Sequence, residues 1–143
     1  MSDTYYVKTF GGLEITNDNV TVNIVELFGK QLVNLLQVLL FHSEKPVQKD
    51  ELIDILWPES KNPSSALKFS IFRLRAELNE IEFFKDKEVI VTTRKGYILN
   101  PNLDWNIDFV ELEKAYNQIN DGSELLDEKE FKTARKIFRL YQG

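Results

Sequence analysis

The sequence predicts an α+β fold in which an N-terminal antiparallel β-meander precedes three helices, a β-hairpin and a C-terminal helical hairpin. Short runs of Thr, Val, Ile and Tyr within residues 5–24, separated by glycine and asparagine turns, predict the meander. Apolar residues that recur at helical spacing between residues 30 and 78 predict the helices. Two apolar runs on either side of a glycine turn in residues 89–99 predict the β-hairpin.

The first two helices are predicted to form much of the core. Leucines recur at helical spacing over residues 30–41, and valines widen the stripe, which indicates a central buried helix. Residues 50–57 form a second, shorter helix that ends before Pro58. Residues 62–64 (Asn-Pro-Ser) then cap a third helix.

The third helix, residues 64–78, has two unlike faces. At 100° per residue its leucines and Ile71 form one narrow stripe that must face the core. The opposite face is polar, cationic and aromatic and consists of Ser65, Lys68, Phe69, Phe72, Arg73 and Ala76, with Arg75 on its flank. Helices that read the major groove of DNA use such a set, because cations reach guanine edges or phosphates and apolar groups touch thymine methyls. The two phenylalanines also fit an alternative in which they pack against the C-terminal helices.

The β-hairpin carries cations at its tip. Arg94 and Lys95 precede Gly96, which allows the turn. Thr92 and Thr93 can add hydroxyl or backbone contacts to phosphate. A helix that can lie in a groove, followed by a hairpin that can grip phosphates, is the layout of a winged helix-turn-helix domain.

Charge is distributed unevenly along the chain, although the formal net charge is −5. Residues 1–60 carry 4 basic and 9 acidic side chains, whereas residues 61–97 carry 8 basic and 5 acidic ones. Residues 61–76 hold four cations, beginning with Lys61, and no acid. Because DNA affinity depends on the cations that face phosphates, this segment is compatible with double-stranded DNA as the partner.

The last forty residues are predicted to form a separate helical hairpin. Apolar residues recur at helical spacing over residues 108–119 and 131–141, and residues 121–123 break the chain between them. A single helical hairpin cannot bury both of its apolar faces, so it either begins a repeat array or docks on the first domain. The predicted domains are therefore residues 1–103 and 104–143.

Three segments in this order resemble the OmpR/PhoB-type winged helix. They are residues 50–58 (DELIDILWP), 66–78 (ALKFSIFRLRAEL) and 91–97 (VTTRKGY). They are most similar to the branch found in antibiotic regulatory proteins of the SARP class. In that branch a bacterial transcriptional activation domain built of tetratricopeptide-like hairpins follows, and residues 108–143 resemble its opening.

The resemblance implies a sequence-specific transcriptional regulator, or its DNA-binding fragment, with residues 64–78 as the recognition helix. It places the outer residues of that helix against bases and the Arg-Leu-Arg element, residues 73–75, against the DNA backbone. Residues 59–62 (Glu59, Ser60, Lys61 and Asn62) correspond to a loop that touches RNA polymerase in relatives, and a homodimer on DNA is a further expectation. The full predicted DNA-binding set is Trp57, Lys61, Ser65, Lys68, Phe69, Phe72, Arg73, Arg75, Thr92, Thr93, Arg94 and Lys95.

Composition disfavours catalysis. The chain has no cysteine, a single histidine and no glycine-rich phosphate loop after a strand, so no enzyme activity, cofactor or metal is expected. No apolar run approaches the ~20 residues of a membrane span, and the N-terminus lacks a signal-peptide pattern, so a cytoplasmic protein is expected. The alternative function is a winged helix that binds protein without contacting DNA, which the acidic total charge and the outward phenylalanines favour.

Overall fold

The computed structural model describes residues 4–110, which form two β-sheets, four α-helices and one 3-10 helix. In chain order the elements are β1 (Thr4–Lys8), β2 (Glu14–Asn17), β3 (Val20–Asn23), α1 (Ile24–Leu27), α2 (Lys30–Phe41), α3 (Lys49–Leu56), α4 (Pro63–Asn79), the 3-10 helix (Glu82–Phe84), β4 (Ile90–Thr92), β5 (Tyr97–Leu99) and β6 (Asp104–Ile107). The predicted α+β class, with a meander, helices and a β-hairpin, is confirmed.

The N-terminal sheet contains four strands in the order β3-β2-β1-β6. The strands β1, β2 and β3 pair antiparallel, as the predicted meander requires. Asp18, at a φ of 53°, lies in the tight turn between β2 and β3, and aspartate tolerates this left-handed conformation better than most residues do. Tyr5, Val7 and Ile15 point inward from this sheet and are buried.

The fourth strand of this sheet comes from beyond the predicted domain boundary. Strand β6 pairs in parallel with β1, with Tyr5 opposite Trp105. Phe109 is also buried, and its ring centroid lies 4.8 Å from that of Phe41. Strand β6 thus completes the N-terminal sheet, and Phe109 belongs to the hydrophobic core. Most of the predicted C-terminal helical hairpin lies outside the described residues.

The helices pack around α2. Its leucines Leu35, Leu36, Leu39 and Leu40 are buried, and the helix contacts α1, α3, α4 and β5. The predicted buried stripe of α4 is confirmed, and it consists of Leu67, Ile71, Leu74 and Leu78. The observed bounds of α3 and α4 differ from the predicted ones by one residue at each end.

One helix was not predicted. Helix α1 is a single turn between the meander and α2, and the side-chain oxygen of Asn23 accepts a hydrogen bond from the backbone N–H of Glu26 at 3.2 Å. Its Ile24 is fully buried. Four residues are too few to show a helical period, so the sequence analysis assigned Ile24 to the last strand of the meander.

The second sheet is the predicted β-hairpin, formed by β4 and β5 with Ile90 opposite Leu99. The loop between α2 and α3 adds a bridge to it. Val47 N donates to Tyr97 O at 2.8 Å, and Tyr97 N donates to Val47 O at 3.0 Å. The loop between α2 and α3 thus holds the hairpin at Tyr97, the first residue after its turn, while Arg94 and Lys95 in the turn stay exposed.

Candidate nucleic-acid interface

The outer face of α4 is open to solvent along the predicted set of residues. Ser65, Lys68 and Arg73 are exposed, and the side chains of Phe69 and Phe72 are 62% and 70% exposed. Within residues 4–110 nothing covers the two rings, and the alternative in which they pack against the C-terminal helices concerns residues outside the described part of the chain. Pro63 occupies the first turn of the helix, where its fixed φ and its missing N–H cost nothing.

Arg73 makes a loose ion pair on this face. Its Nη2 lies 3.7 Å from the Oε1 of Glu77, one turn further along α4, and both side chains contact solvent. Exposed pairs of this kind contribute ~0–1 kcal/mol to stability. Arg73 can therefore exchange this carboxylate for a phosphate at little cost.

Arg75 joins α4 to the β-hairpin. Its Nε and Nη2 donate to the backbone oxygen of Ile90 at 3.3 and 3.1 Å, and Nη2 also donates to the hydroxyl of Thr92 at 2.7 Å. The side chain is half-buried between the two elements. The predicted contact of Arg75 with the DNA backbone stays a prediction, but in the free protein this side chain and Thr92 hold the hairpin beside the helix.

The tip of the hairpin is a tight turn held by Thr93. Its N–H donates to Gly96 O at 2.7 Å, and its hydroxyl also donates to Gly96 O, at 3.1 Å. The same hydroxyl accepts hydrogen bonds from the N–H groups of Lys95 and Gly96, both at 3.2 Å. The hydroxyl of Thr93 thus stabilises the turn. Arg94 and Lys95 are exposed at the tip, where the turn presents both cations to solvent.

The loop between α3 and α4 and the end of α3 carry the two remaining predicted residues. Lys61 is exposed, together with its neighbours Glu59, Ser60 and Asn62. Trp57, at the end of α3, is half-buried and packs against the core. The structure thus places Trp57 chiefly in a packing role.

A depression between α4 and the hairpin was not predicted. Phe72 and Ala76 of α4 line one side, Val89 and Ile90 line the other, and Lys87 stands at the rim. The Nζ of Lys87 donates to the hydroxyl of Tyr5 at 2.6 Å. The sequence showed Lys87 only as one cation of a basic segment, because its position depends on a contact with a strand 82 residues earlier.

Lys49 is a second cation that the sequence did not single out. It begins α3, is exposed, and its Nζ lies 5.9 Å from the ring centroid of Tyr97, the first residue after the turn of the hairpin. Its place directly before an amphipathic helix was the only sequence signal.

Residues 4–110 show neither a candidate metal site nor a membrane span. No group of three or more His, Cys, Asp or Glu side chains within this range is arranged to hold a metal ion. None of the helices in this part of the chain is long and apolar enough to cross a bilayer.

The arrangement defines a winged helix-turn-helix: α3 and α4 are joined by a short loop, and the β4–β5 hairpin forms the wing. The chain belongs to the family described as "Transcriptional regulatory protein, C terminal", which matches residues 21–99, more than half of its length. The match confirms the predicted OmpR/PhoB-type domain. The chain therefore carries the DNA-binding domain of a transcriptional regulatory protein.

Two solved structures have a similar fold. Mycobacterium tuberculosis EmbR, solved in complex with a low-affinity phosphopeptide, gives a TM-score of 0.51 at 23% identity over 66% of this chain and 24% of EmbR. The DNA-binding domain of Escherichia coli CadC gives a TM-score of 0.48 at 26% identity over 65% of this chain and 89% of that domain. Comparison with curated protein sequences gave no significant match.

The likeness to EmbR concerns the fold alone. This chain spans about a quarter of the length of EmbR. The tetratricopeptide-like extension stays a prediction, because residues 111–143 lie outside the described part of the chain.

Proposed function

We propose that this protein regulates transcription by sequence-specific binding to double-stranded DNA, with α4 in the major groove and the wing on adjacent phosphates. The observation that carries the proposal is the outer face of α4, which is exposed, cationic and free of acids up to Ala76, together with its direct link to a cationic wing tip. Arg75 makes that link through Ile90 and Thr92.

The dimensions of the helix suit a groove. An α-helix with its side chains is ~10–12 Å across, and the major groove of B-DNA is ~12 Å wide. Helix α4 has 17 residues, and it buries one stripe while the opposite side stays exposed. The exposed side can therefore enter the groove while the buried stripe stays in the core.

The acidic total charge does not oppose this mode of binding. Phosphate contacts act over about a Debye length, which is ~8–10 Å at ordinary salt. The four cations of residues 61–76 and the two at the wing tip belong to one helix-wing unit, whereas the acidic excess lies largely in residues 1–60. DNA approaching along α4 meets the cations first.

Fluorescence anisotropy of the full chain with random-sequence duplex DNA tests the proposal. With about 5 phosphate contacts, affinity should fall about 500-fold between about 50 and about 200 mM salt, because log K falls ~0.9 per contact for each log unit of salt. The Arg73→Ala, Arg94→Ala double variant should bind all sequences more weakly. Its slope of log K against log salt should be shallower by about 1.8.

The matched control removes two exposed cations elsewhere, Lys8 of β1 and Lys30 of α2. The Lys8→Ala, Lys30→Ala variant has the same net charge as the arginine variant but should keep the wild-type slope. Equal slopes for the two variants would show that total charge, and not this footprint, governs binding. Wild-type affinity that does not respond to salt would favour the alternative of a protein-binding winged helix.

Further contacts are proposed for the surrounding surface. Residues 59–62 are all exposed, which supports their contact with RNA polymerase while α4 occupies the groove. A homodimer on DNA and a cytoplasmic location accord with a regulatory protein that acts by binding rather than by catalysis. The predicted C-terminal helical hairpin is proposed to mediate partner contact.

A further inference from the structure

The ridge of α4 that projects furthest from the core carries no charge. Ser65, Phe69, Phe72 and Ala76 follow one another at spacings of four, three and four residues, so they fall within about 60° around the helix axis. This ridge lies diametrically opposite the buried stripe that includes Leu67 and Leu74. All four residues are exposed.

Cations flank this uncharged ridge on both sides. At 100° per residue, Lys68 lies about 70° to one side of the ridge and Arg73 about 70° to the other. Both side chains are exposed. A helix seated in a major groove brings its outermost ridge to the base edges and its flanks to the two phosphate walls. The cationic flanks of α4 therefore match the phosphate walls of the groove, and the two phenyl rings of the ridge lie where base edges are read.

We propose that Phe69 and Phe72 recognise the C5-methyl groups of thymines on neighbouring base pairs, which makes them the residues that set sequence preference. This inference rests on the proposed function and names the bases that it reads. A phenyl ring has no hydrogen-bonding group, and the thymine methyl is the only apolar group that the four base pairs present in the major groove.

The same phenyl rings also disfavour binding to G·C pairs. A phenyl ring over the edge of a G·C pair removes water from the donor and acceptors of that edge and offers no hydrogen bond in return, which is unfavourable. The preference thus has an attractive part toward thymine and a repulsive part against G·C pairs.

The spacing of the two rings points to adjacent base pairs. Residues three apart on an α-helix are separated by about 4.5 Å along its axis, and stacked base pairs are about 3.4 Å apart. Long aromatic side chains bridge the difference. We therefore expect two consecutive A·T or T·A pairs beneath α4 in a preferred site.

The test compares thymine with deoxyuridine, which pairs identically and lacks only the methyl group. Duplexes of about 30 base pairs are selected from a random library with the full chain and resynthesised with deoxyuridine in every thymine position. Affinity for the deoxyuridine duplex should be lower by about fourfold for one contacted methyl and about fifteenfold for two, from the transfer free energy of a buried methylene-sized group.

Two variants test whether the side chains of Phe69 and Phe72 cause the preference for thymine over deoxyuridine. The Phe69→Ala, Phe72→Ala variant should bind thymine and deoxyuridine duplexes equally while keeping the wild-type salt slope. The control, Tyr6→Ala, removes an aromatic side chain of β1 that is 50% exposed, and it should keep the full thymine preference. Circular dichroism checks that each variant folds, and the wild-type comparison is decisive whatever the stability of the variants.

The outcomes separate this inference from the function on which it rests. Salt-dependent duplex binding with equal affinity for thymine and deoxyuridine would overturn the methyl readout and leave the proposed function standing. A thymine preference that survives in the double phenylalanine variant would also overturn it. Absence of binding to any duplex would remove both, and tighter ring-dependent binding to single strands would show base stacking instead.

Discussion

Gly96 lies where the wing turn passes over the loop between α2 and α3. Its φ is +150°, and a Cβ at this position would come within 1.9 Å of Val47 O and 2.6 Å of Val47 C. Both neighbours are backbone atoms, and Val47 is held in place by its two hydrogen bonds to Tyr97. The sequence predicted a glycine turn here, but the close approach of Val47 depends on tertiary packing and was not foreseeable.

Replacing Gly96 by alanine should destabilise the protein by at least about 2 kcal/mol, because the backbone strain and the clash with Val47 act together. Urea unfolding of the full chain measures this. The control is Gly29→Ala, since a Cβ on Gly29 would have no neighbouring atom within 4 Å and the φ of this residue is −66°. Similar midpoints for the two variants would contradict the described wing geometry.

Single residues also show what a sequence pattern can and cannot predict. The buried and exposed faces of α4 follow from a period of 3.6 residues, and both were predicted correctly because the period is local. The half-burial of Arg75 and the commitment of the Thr93 hydroxyl to its own turn depend on which groups meet in three dimensions. Composition marked both residues only as candidate phosphate contacts.

Among the secondary-structure elements, the hydrogen bonds between α4 and the wing help to determine how the wing is positioned. Arg75 is the residue through which α4 bonds to both Ile90 and Thr92 of β4. A planar guanidinium group can reach two acceptors at once, whereas a lysine ammonium on a flexible stem holds that geometry poorly. Replacing Arg75 by lysine should therefore loosen β4 against α4, although the charge is kept and the hydrogen bonds between Val47 and Tyr97 still hold β5.

This coupling predicts non-additive effects on DNA affinity. Arg94→Ala should weaken duplex binding clearly in the wild type and less in the Arg75→Lys background, because the loosened β4 aligns Arg94 with phosphate less well. A double-mutant cycle measured by anisotropy checks this, with a coupling of at least about 0.5 kcal/mol expected. Arg73→Ala provides the comparison, since its effect should be the same in both backgrounds. Strict additivity for Arg94 would show that Arg75 does not position the wing.

At the scale of the whole molecule, strand β6 closes the domain. It pairs with β1 across about 100 residues of sequence, with Thr4 opposite Asp104. The pairing with β1 leaves no local signal, and although Asp-Trp-Asn-Ile alternates polar and apolar residues as a half-buried strand does, four residues are the shortest run in which that pattern can be seen. Strand β6 was therefore not predicted, whereas the order of meander, helices and wing was predicted correctly.

Asp108, the residue after β6, stabilises the pairing of β6 with β1. Its carboxylate accepts hydrogen bonds from Thr9 N at 3.0 and 2.9 Å and from Phe10 N at 3.3 Å. Asp108→Ala should cost about 2 kcal/mol of unfolding free energy in the full chain, because partly buried N–H groups lose their acceptor. Asp104→Ala is the control, since its bond to Thr4 is exposed and its loss should cost less than about 1 kcal/mol. Equal costs in chemical denaturation would argue against this closure.

Amide chemical shifts of the labelled full chain during titration with a duplex would show which surface binds DNA, and we expect it to be α4 and the wing. We expect the largest changes at Ser65, Lys68 and Phe72 of α4 and at Arg94 and Lys95 of the wing. The exposed residues of β3 and α1 should stay unchanged. Shifts concentrated on β3 and α1, or no shifts at a duplex concentration that saturates anisotropy, would contradict the account.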